Sequence, residues 1–150
     1  MQLFKSIMSE SGIFNQTIKV SKPHIDVNGH VNNVVYVQWM QDVAYAHSSS
    51  VGYDGRRLDE LGSTWVIRSH FIQYHRPALE GDDLLVYTWP STIKRASALR
   101  KYKFIRARDQ AVIASGESDW VYIDRTSGRP RAIEEEMREV FAEIPKDQEP

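Results

Sequence analysis

Asp26, Asn28, His30, Asn32 and Asn33 fall within one short stretch, His24-Ile25-Asp26-Val27-Asn28-Gly29-His30-Val31-Asn32-Asn33-Val34-Val35-Tyr36. A carboxylate, an imidazole and three side-chain amides are gathered there, just where a long apolar run begins. A carboxylate beside an electrophilic carbonyl can attack it or take a proton from water. The first turn of a helix supplies unpaired backbone N–H groups and a partial positive charge, which suit a developing oxyanion. Acyl transfer without a metal needs no more than that. The same residue types also close turns and cap helices, with Asp26, Asn28 and Asn32 bonding their own backbone. Residue type alone leaves both readings open.

Such groups act only if the surrounding elements hold them. From Val34 to Val51 the polar residues Gln38, Gln41, Asp42, Ser48 and Ser49 keep the spacing of one exposed helical stripe. The remaining face is apolar and wide, which suggests a helix embraced by a sheet. Asn32 or Asn33 is placed to cap its start, and Gly52 to end it with a left-handed residue. Five strands are expected, at Ile13–Val20, Trp65–His75, Asp83–Trp89, Ser97–Arg108 and Ala111–Asp124, followed by a short terminal helix. Glu80-Gly81-Asp82, Ser91 to Ala96 and Asp109-Gln110 supply the turn chemistry between the later strands. Connections so short imply antiparallel neighbours. The pattern is α+β in a single domain over residues 1–150, with Met1–Gly12 and Lys146–Pro150 expected as poorly ordered tails. Leu84 and Val86 alternate with Leu85, Tyr87 and Trp89, so both faces of that strand are apolar. One face would pack on the helix. Covering the other calls for a homo-oligomer, a homodimer or homotetramer.

Composition narrows the function classes. The chain has no cysteine, which removes disulfides, thiolate metal sites and cysteine nucleophiles together. Its 41% hydrophobic and 26% charged residues are ordinary for a globular protein, and its net charge of -1 argues against non-specific nucleic-acid binding. The basic run Arg100-Lys101-Tyr102-Lys103 alternates as a solvated strand face does. No secretory leader and no run of about 20 apolar residues is present, so a cytoplasmic protein with no membrane span is expected. No Gly-x-Ser-x-Gly, Gly-x-Gly-x-x-Gly or Walker loop occurs. His24, His30, His47, His70 and His75 lack metal-ligand spacing, so neither metal nor cofactor is expected. His70 and His75, an odd number apart, should point to opposite faces of their strand.

The stretch from Asp26 to Asn33, followed by Tyr36 and Trp39, resembles the signature of the 4-hydroxybenzoyl-CoA thioesterase-like family. It is closer still to the Asp-x-Asn-x-His-Val-Asn-Asn segment of plant acyl-ACP thioesterases. Two weaker likenesses extend it along the chain: Tyr74-His-Arg-Pro-Ala-Leu-Glu-Gly-Asp-Asp-Leu and Gly128-Arg-Pro-Arg-Ala-Ile. The resemblance implies the hotdog fold, an antiparallel five-stranded sheet wrapped around one long central helix. It implies an acyl-CoA thioesterase, or one acting on acyl-ACP, with Asp26 as nucleophile or general base. The Asn33 backbone N–H would polarise the thioester carbonyl, with Asn28 and His30 in support. Lys94, Arg95 and Arg131 match positions that resemble CoA-phosphate contacts. Two alternatives stay open: a non-hydrolytic acyl-thioester-binding protein, and a hotdog hydratase or dehydratase, although the His–carboxylate pattern of the latter is not seen.

Overall fold

Residues 12–150 are described by the structure, a computed structural model. The long helix forms where its periodicity places it, at Asn33–Ser50 (α1). Its three-and-four spacing sets Tyr36, Trp39, Met40, Val43, Ala44 and His47 on one buried face. Asn32 caps the start, its side chain accepting from the Val34 N–H at 3.0 Å. Gly52, at φ +96°, takes the left-handed position that ends the helix.

Five strands build one antiparallel sheet: Phe14–Lys19 (β1), Ser63–Tyr74 (β2), Asp83–Ile93 (β3), Ser97–Arg106 (β4) and Val112–Asp124 (β5). Their order is β1-β3-β4-β5-β2, which leaves β1 and β2 at the edges. Leu84, Val86, Tyr102, Phe104 and Trp120 join the buried face of α1 in one core. At Gly116 of β5 the approach is close, since an added Cβ would lie 3.1 Å from Met40 Cε. This is the expected hotdog arrangement, a sheet around one long helix.

Three elements differ from expectation. Asp54 and Gly62 bracket an unforeseen helix at Gly55–Leu61 (α2). The Asp54 carboxylate accepts from the Arg57 N–H at 2.9 Å, and Gly62 closes the helix at φ +68°. The caps were readable, but a helix of 7 residues carries too little periodicity to stand out. Next, β3 runs through Pro90 to Ile93 rather than stopping at Trp89. Proline is tolerated there because β1 pairs with β3 only as far as Thr88. The strand-facing groups of Pro90 meet the carboxy-terminal segment instead, whose Ile144 N–H donates to the Pro90 carbonyl at 3.0 Å.

That segment is the third difference. After a short helix, Glu135–Val140 (α3), the chain turns back along the outer side of β3 and β4. Lys101 Nζ donates to Glu149 at 3.0 Å and Lys103 Nζ to the Pro150 carbonyl at 2.8 Å. Residues 146–150 are therefore docked rather than forming the loose tail expected. The chain itself thus covers part of the sheet face that seemed to need a partner. At the other end, all of Met1–Gly12 except Gly12 lies outside the described residues.

One polar cluster is buried in the core. His47, 3% exposed, stacks on Phe14 at 5.2 Å and meets Phe141 edge-on at 5.3 Å. Its Nδ1 lies 2.9 Å from Arg100 Nη1. A guanidinium only donates, so Nδ1 is the acceptor and the ring proton sits on Nε2. Burial, then the Arg100 charge, push the His47 imidazole down to about 3. An unfolded histidine titrates near 6.5. Between those values the unfolded chain binds a proton that the fold refuses, so stability must fall as pH drops through that window. Urea unfolding at pH 7, 5.5 and 4 is expected to show this loss, at about 1.4 kcal/mol per pH unit. His47→Gln should lack that part of the slope. An identical slope in both proteins would remove His47 as its source.

Candidate active site

Between β1 and α1 the backbone closes a small loop. Lys22–His24 make one 3-10 turn, with the Ser21 N–H donating to His24 Nδ1 at 3.0 Å. The His24 ring then meets Trp39 of α1 edge-on at 5.0 Å. An isolated antiparallel bridge joins Ile25 to Val31, and the Asn32 N–H donates to the His24 carbonyl at 2.9 Å. Inside that bridge the Asp26 N–H donates to the His30 carbonyl at 2.8 Å, and Gly29 supplies the left-handed residue at φ +77°. The Val31 N–H donates to the carbonyl of buried Ala78, pinning the loop to the β2–β3 connection at 3.0 Å.

Of the two readings of Asp26, the structure shows the turn-closing one, through a single oxygen. Oδ1 accepts from the Asn28 N–H at 2.8 Å, closing an Asx turn. Oδ2 has no hydrogen-bond partner among the described residues, and the residue is half-buried.

The helix amides sort themselves in the same way. Asn32 takes the Val34 N–H with its side chain at 3.0 Å and the Val35 N–H with its carbonyl at 2.9 Å. The Asn33 N–H is left without an acceptor among the described residues. It is also the amide expected to act, at the positive end of an 18-residue helix. Its carbonyl is held by the Tyr74 hydroxyl at 3.0 Å. Tyr74 ends β2 and packs edge-on against Tyr36 at 5.4 Å. Burial pushes both phenols up, Tyr36 to about 12, so both stay protonated and able to donate at neutral pH. Tyr74 was visible only as the first residue of a likeness. Its role as a brace for Asn33 depends on a contact spanning 41 residues.

Asn28 and His30 stand on the exposed side of the loop, their side chains making no hydrogen bond among the described residues. The loop therefore brings Asp26, Asn28 and His30 together and joins them to Asn33 through Asn32.

The three cations do not share one fate. Lys94 and Arg95 are exposed at the β3–β4 turn, with side chains free of partners among the described residues. Arg131 is engaged internally. Its Nη1 donates to the Leu61 and Gly62 carbonyls at 2.9 and 3.3 Å, and its Nη2 to Glu134 at 2.6 Å. The fork that a phosphate would need is already closing the end of α2 onto the chain before α3. His70 and His75 bond Ser118 and Ser115 at 2.7 and 2.9 Å, each held against β5. No cluster of acidic and histidine side chains suited to a metal ion occurs among the described residues.

A five-stranded antiparallel sheet wrapped around one long helix is an architecture shared with hotdog thioesterases. The family model described as the thioesterase-like superfamily matches residues 20–141, and the chain belongs to that family. Among curated proteins it is similar to the long-chain acyl-CoA thioesterase FadM of Escherichia coli, at 25% identity over 130 residues, covering 86% of this chain and 97% of that one. Among solved structures, its fold matches an acyl-ACP thioesterase from Bacteroides thetaiotaomicron with a TM-score of 0.77 and 24% identity, over 84% of this chain and 51% of that chain. It also matches the hypothetical protein SAV2348 from Staphylococcus aureus, solved with CoA, with a TM-score of 0.83 and 19% identity, over 92% and 86% of the two chains.

Proposed function

We propose that this member of the family hydrolyses acyl-CoA thioesters, with acyl-ACP thioesters as the related alternative substrate. The observation that carries the reading is the pairing of one open carboxylate oxygen, Asp26 Oδ2, with one unclaimed helix amide, Asn33 N–H, across a closed loop. The thioester carbonyl oxygen would lie on that amide. Asp26 then either attacks the carbonyl carbon, giving an anhydride that water opens, or takes a proton from the attacking water. In both cases the C–S bond breaks, the thiolate leaves and is protonated, and the acid is released. The negative charge of the tetrahedral intermediate gathers at the Asn33 N–H, where the α1 dipole favours it. Asn28 shapes the turn through its backbone, and the exposed His30 imidazole stands where it can orient water. No cofactor is called for.

Release of free thiol from a panel of acyl-CoAs tests this against the two alternatives, since hydration and simple binding release none. Asp26→Asn should keep the fold and lower kcat by about 10²–10⁴-fold, the usual cost of losing a general base. A folded variant with near-normal turnover would sink the assignment.

Lys94 and Arg95 form the phosphate handle in this reading, and Arg131, the third expected contact, supports the surface only indirectly. Contacts to the nucleotide are the same in ground and transition states. The double variant Lys94→Ala/Arg95→Ala should thus raise KM for acyl-CoA with little change in kcat, less so in added salt. An unchanged KM would remove this pair and turn attention to a carrier-protein thioester.

The active species is a homodimer or homotetramer in the cytoplasm. Support comes from the edge strand β2, where Val66, Phe71 and Tyr74 are 41%, 58% and 43% exposed. Among the described residues no helix is long and apolar enough to cross a membrane. Light scattering at working concentration should give at least twice the chain mass, and a monodisperse monomer would contradict the assembly.

A further inference from the structure

His24 stands where the loop carrying Asp26 leaves the end of β1, and it is half-buried. Its Nδ1 lies 3.0 Å from the Ser21 backbone nitrogen and 3.3 Å from the Ser21 hydroxyl. A backbone N–H only donates, so Nδ1 is the acceptor and the ring proton sits on Nε2. Nε2 has no hydrogen-bond partner among the described residues. With Nδ1 filled by a backbone amide and Nε2 protonated, the ring has no free lone pair and cannot serve as a base. What it does is hold.

Three parts of the fold meet on this one residue. Ser21 follows Val20, which is 1% exposed and clamped to the β2–β3 connection. The Val20 N–H donates to the Asp82 carbonyl at 2.8 Å, and its carbonyl accepts from the Gly81 N–H at 2.9 Å. The His24 ring lies edge-on to Trp39, whose centroid is 5.0 Å away, about 9 Å along α1 from Asn33 at 1.5 Å per residue. The His24 carbonyl accepts from the Asn32 N–H at 2.9 Å. Asn32 in turn claims the Val34 and Val35 amides and leaves the Asn33 N–H open. A shift of His24 therefore passes through one residue to the amide assigned to the thioester oxygen. The Asp26 N–H on the His30 carbonyl is the next rung of the same short ladder.

We infer that His24 is a positioning residue, a clasp between the end of β1 and α1 that fixes the Asn32–Asn33 turn against the loop carrying Asp26. The inference rests on the thioesterase reading above and adds a residue that touches no reacting atom. The clasp has two separable parts. Nδ1 ties His24 to the sheet through Ser21, and the ring ties it to the helix through Trp39. Asparagine carries its Oδ1 where histidine carries Nδ1, so it keeps the acceptor without the ring. Phenylalanine keeps the ring and lacks the acceptor, which leaves the Ser21 N–H to water. A misplacement of about 1 Å at a reaction centre can lower the rate about 100-fold. Losing one hydrogen bond loosens the clasp rather than removing it, so a smaller loss is expected. Because the clasp acts on geometry and not on substrate contact, kcat should fall while KM stays in place.

Steady-state kinetics with octanoyl-CoA, paired with amide hydrogen exchange followed by NMR, tests this on the full chain. His24→Phe should lower kcat about three- to thirtyfold with KM within about twofold. Its Asn32 N–H should exchange faster, since the carbonyl that accepts it is no longer held. His24→Asn should restore most of kcat and of the Asn32 protection, with a lower Tm from the lost contact with Trp39. His24→Leu, smaller than either ring, takes the place of His24→Phe should the phenyl variant fail to fold. Asp26→Asn should remove turnover and leave Asn32 exchange at the wild-type rate. Turnover that survived Asp26→Asn would overturn the thioesterase reading of that carboxylate, while the exchange rates would still decide the clasp. An Asn32 exchange rate unchanged in His24→Phe would overturn the clasp itself. So would a wild-type kcat in that variant, or an equal loss of kcat in His24→Phe and His24→Asn, either of which would leave His24 as packing on Trp39.

Discussion

α1 meets the sheet through Tyr36, Trp39, Met40, Val43, Ala44 and His47, and that one stripe governs the rest of the molecule. Burying a large apolar side chain contributes about 1.5–3 kcal/mol, so a row of them sets the position and rotation of the helix firmly. With the helix so held, its amino end faces the connection between β1 and α1, and its carboxyl end faces α2 and α3. The His24 ring against Trp39 and the Val31 amide on Ala78 then tie the polar loop to a fixed surface. The loop at the start of the helix, where we propose the chemistry, inherits its rigidity from packing further along.

The polar loop makes economical use of few groups. A capping asparagine takes two of the first helix amides and thereby leaves a third exposed. An Asx turn engages one oxygen of Asp26 and leaves the other without a partner among the described residues. The structural account of these residues and the catalytic one we propose are therefore not competitors. The turn that satisfies the backbone is also what presents the open oxygen, and Gly29 permits the tight reversal that keeps the carboxylate near the helix.

At the other end of α1 the logic is reversed. His47 accepts from Arg100 and stays neutral because it is buried beside a cation, while the cation pairs with no acid among the described residues. Around the proposed reaction centre, orphan groups are small and near solvent. Around Arg100, the orphan is a full charge beside an apolar cavity. The two ends of the helix thus differ, one meeting a surface loop and the other the interior.

Periodicity and turn chemistry are local, and they were legible: the helix, the strand succession, the loop with Asp26 and the cap at Asn32 all follow from residues a few positions apart. What local pattern missed was set by distant partners. Pro90 stays within a strand because β1 stops short of it, and residues 146–150 dock because Lys101 and Lys103 lie across from them. Arg131 looked like a free cation until its partners, Leu61 and Gly62, appeared 70 and 69 positions away. Arg100 looked like part of a solvated strand face, and only the packing of α1, β4 and α3 turned it inward. By itself the sequence determined which residues could do chemistry and what elements would carry them, because side-chain type and spacing act over a few bonds. Which amide stayed unclaimed, which arginine was engaged and which was left without a counterion were decided only when residues far apart in the chain were packed against one another.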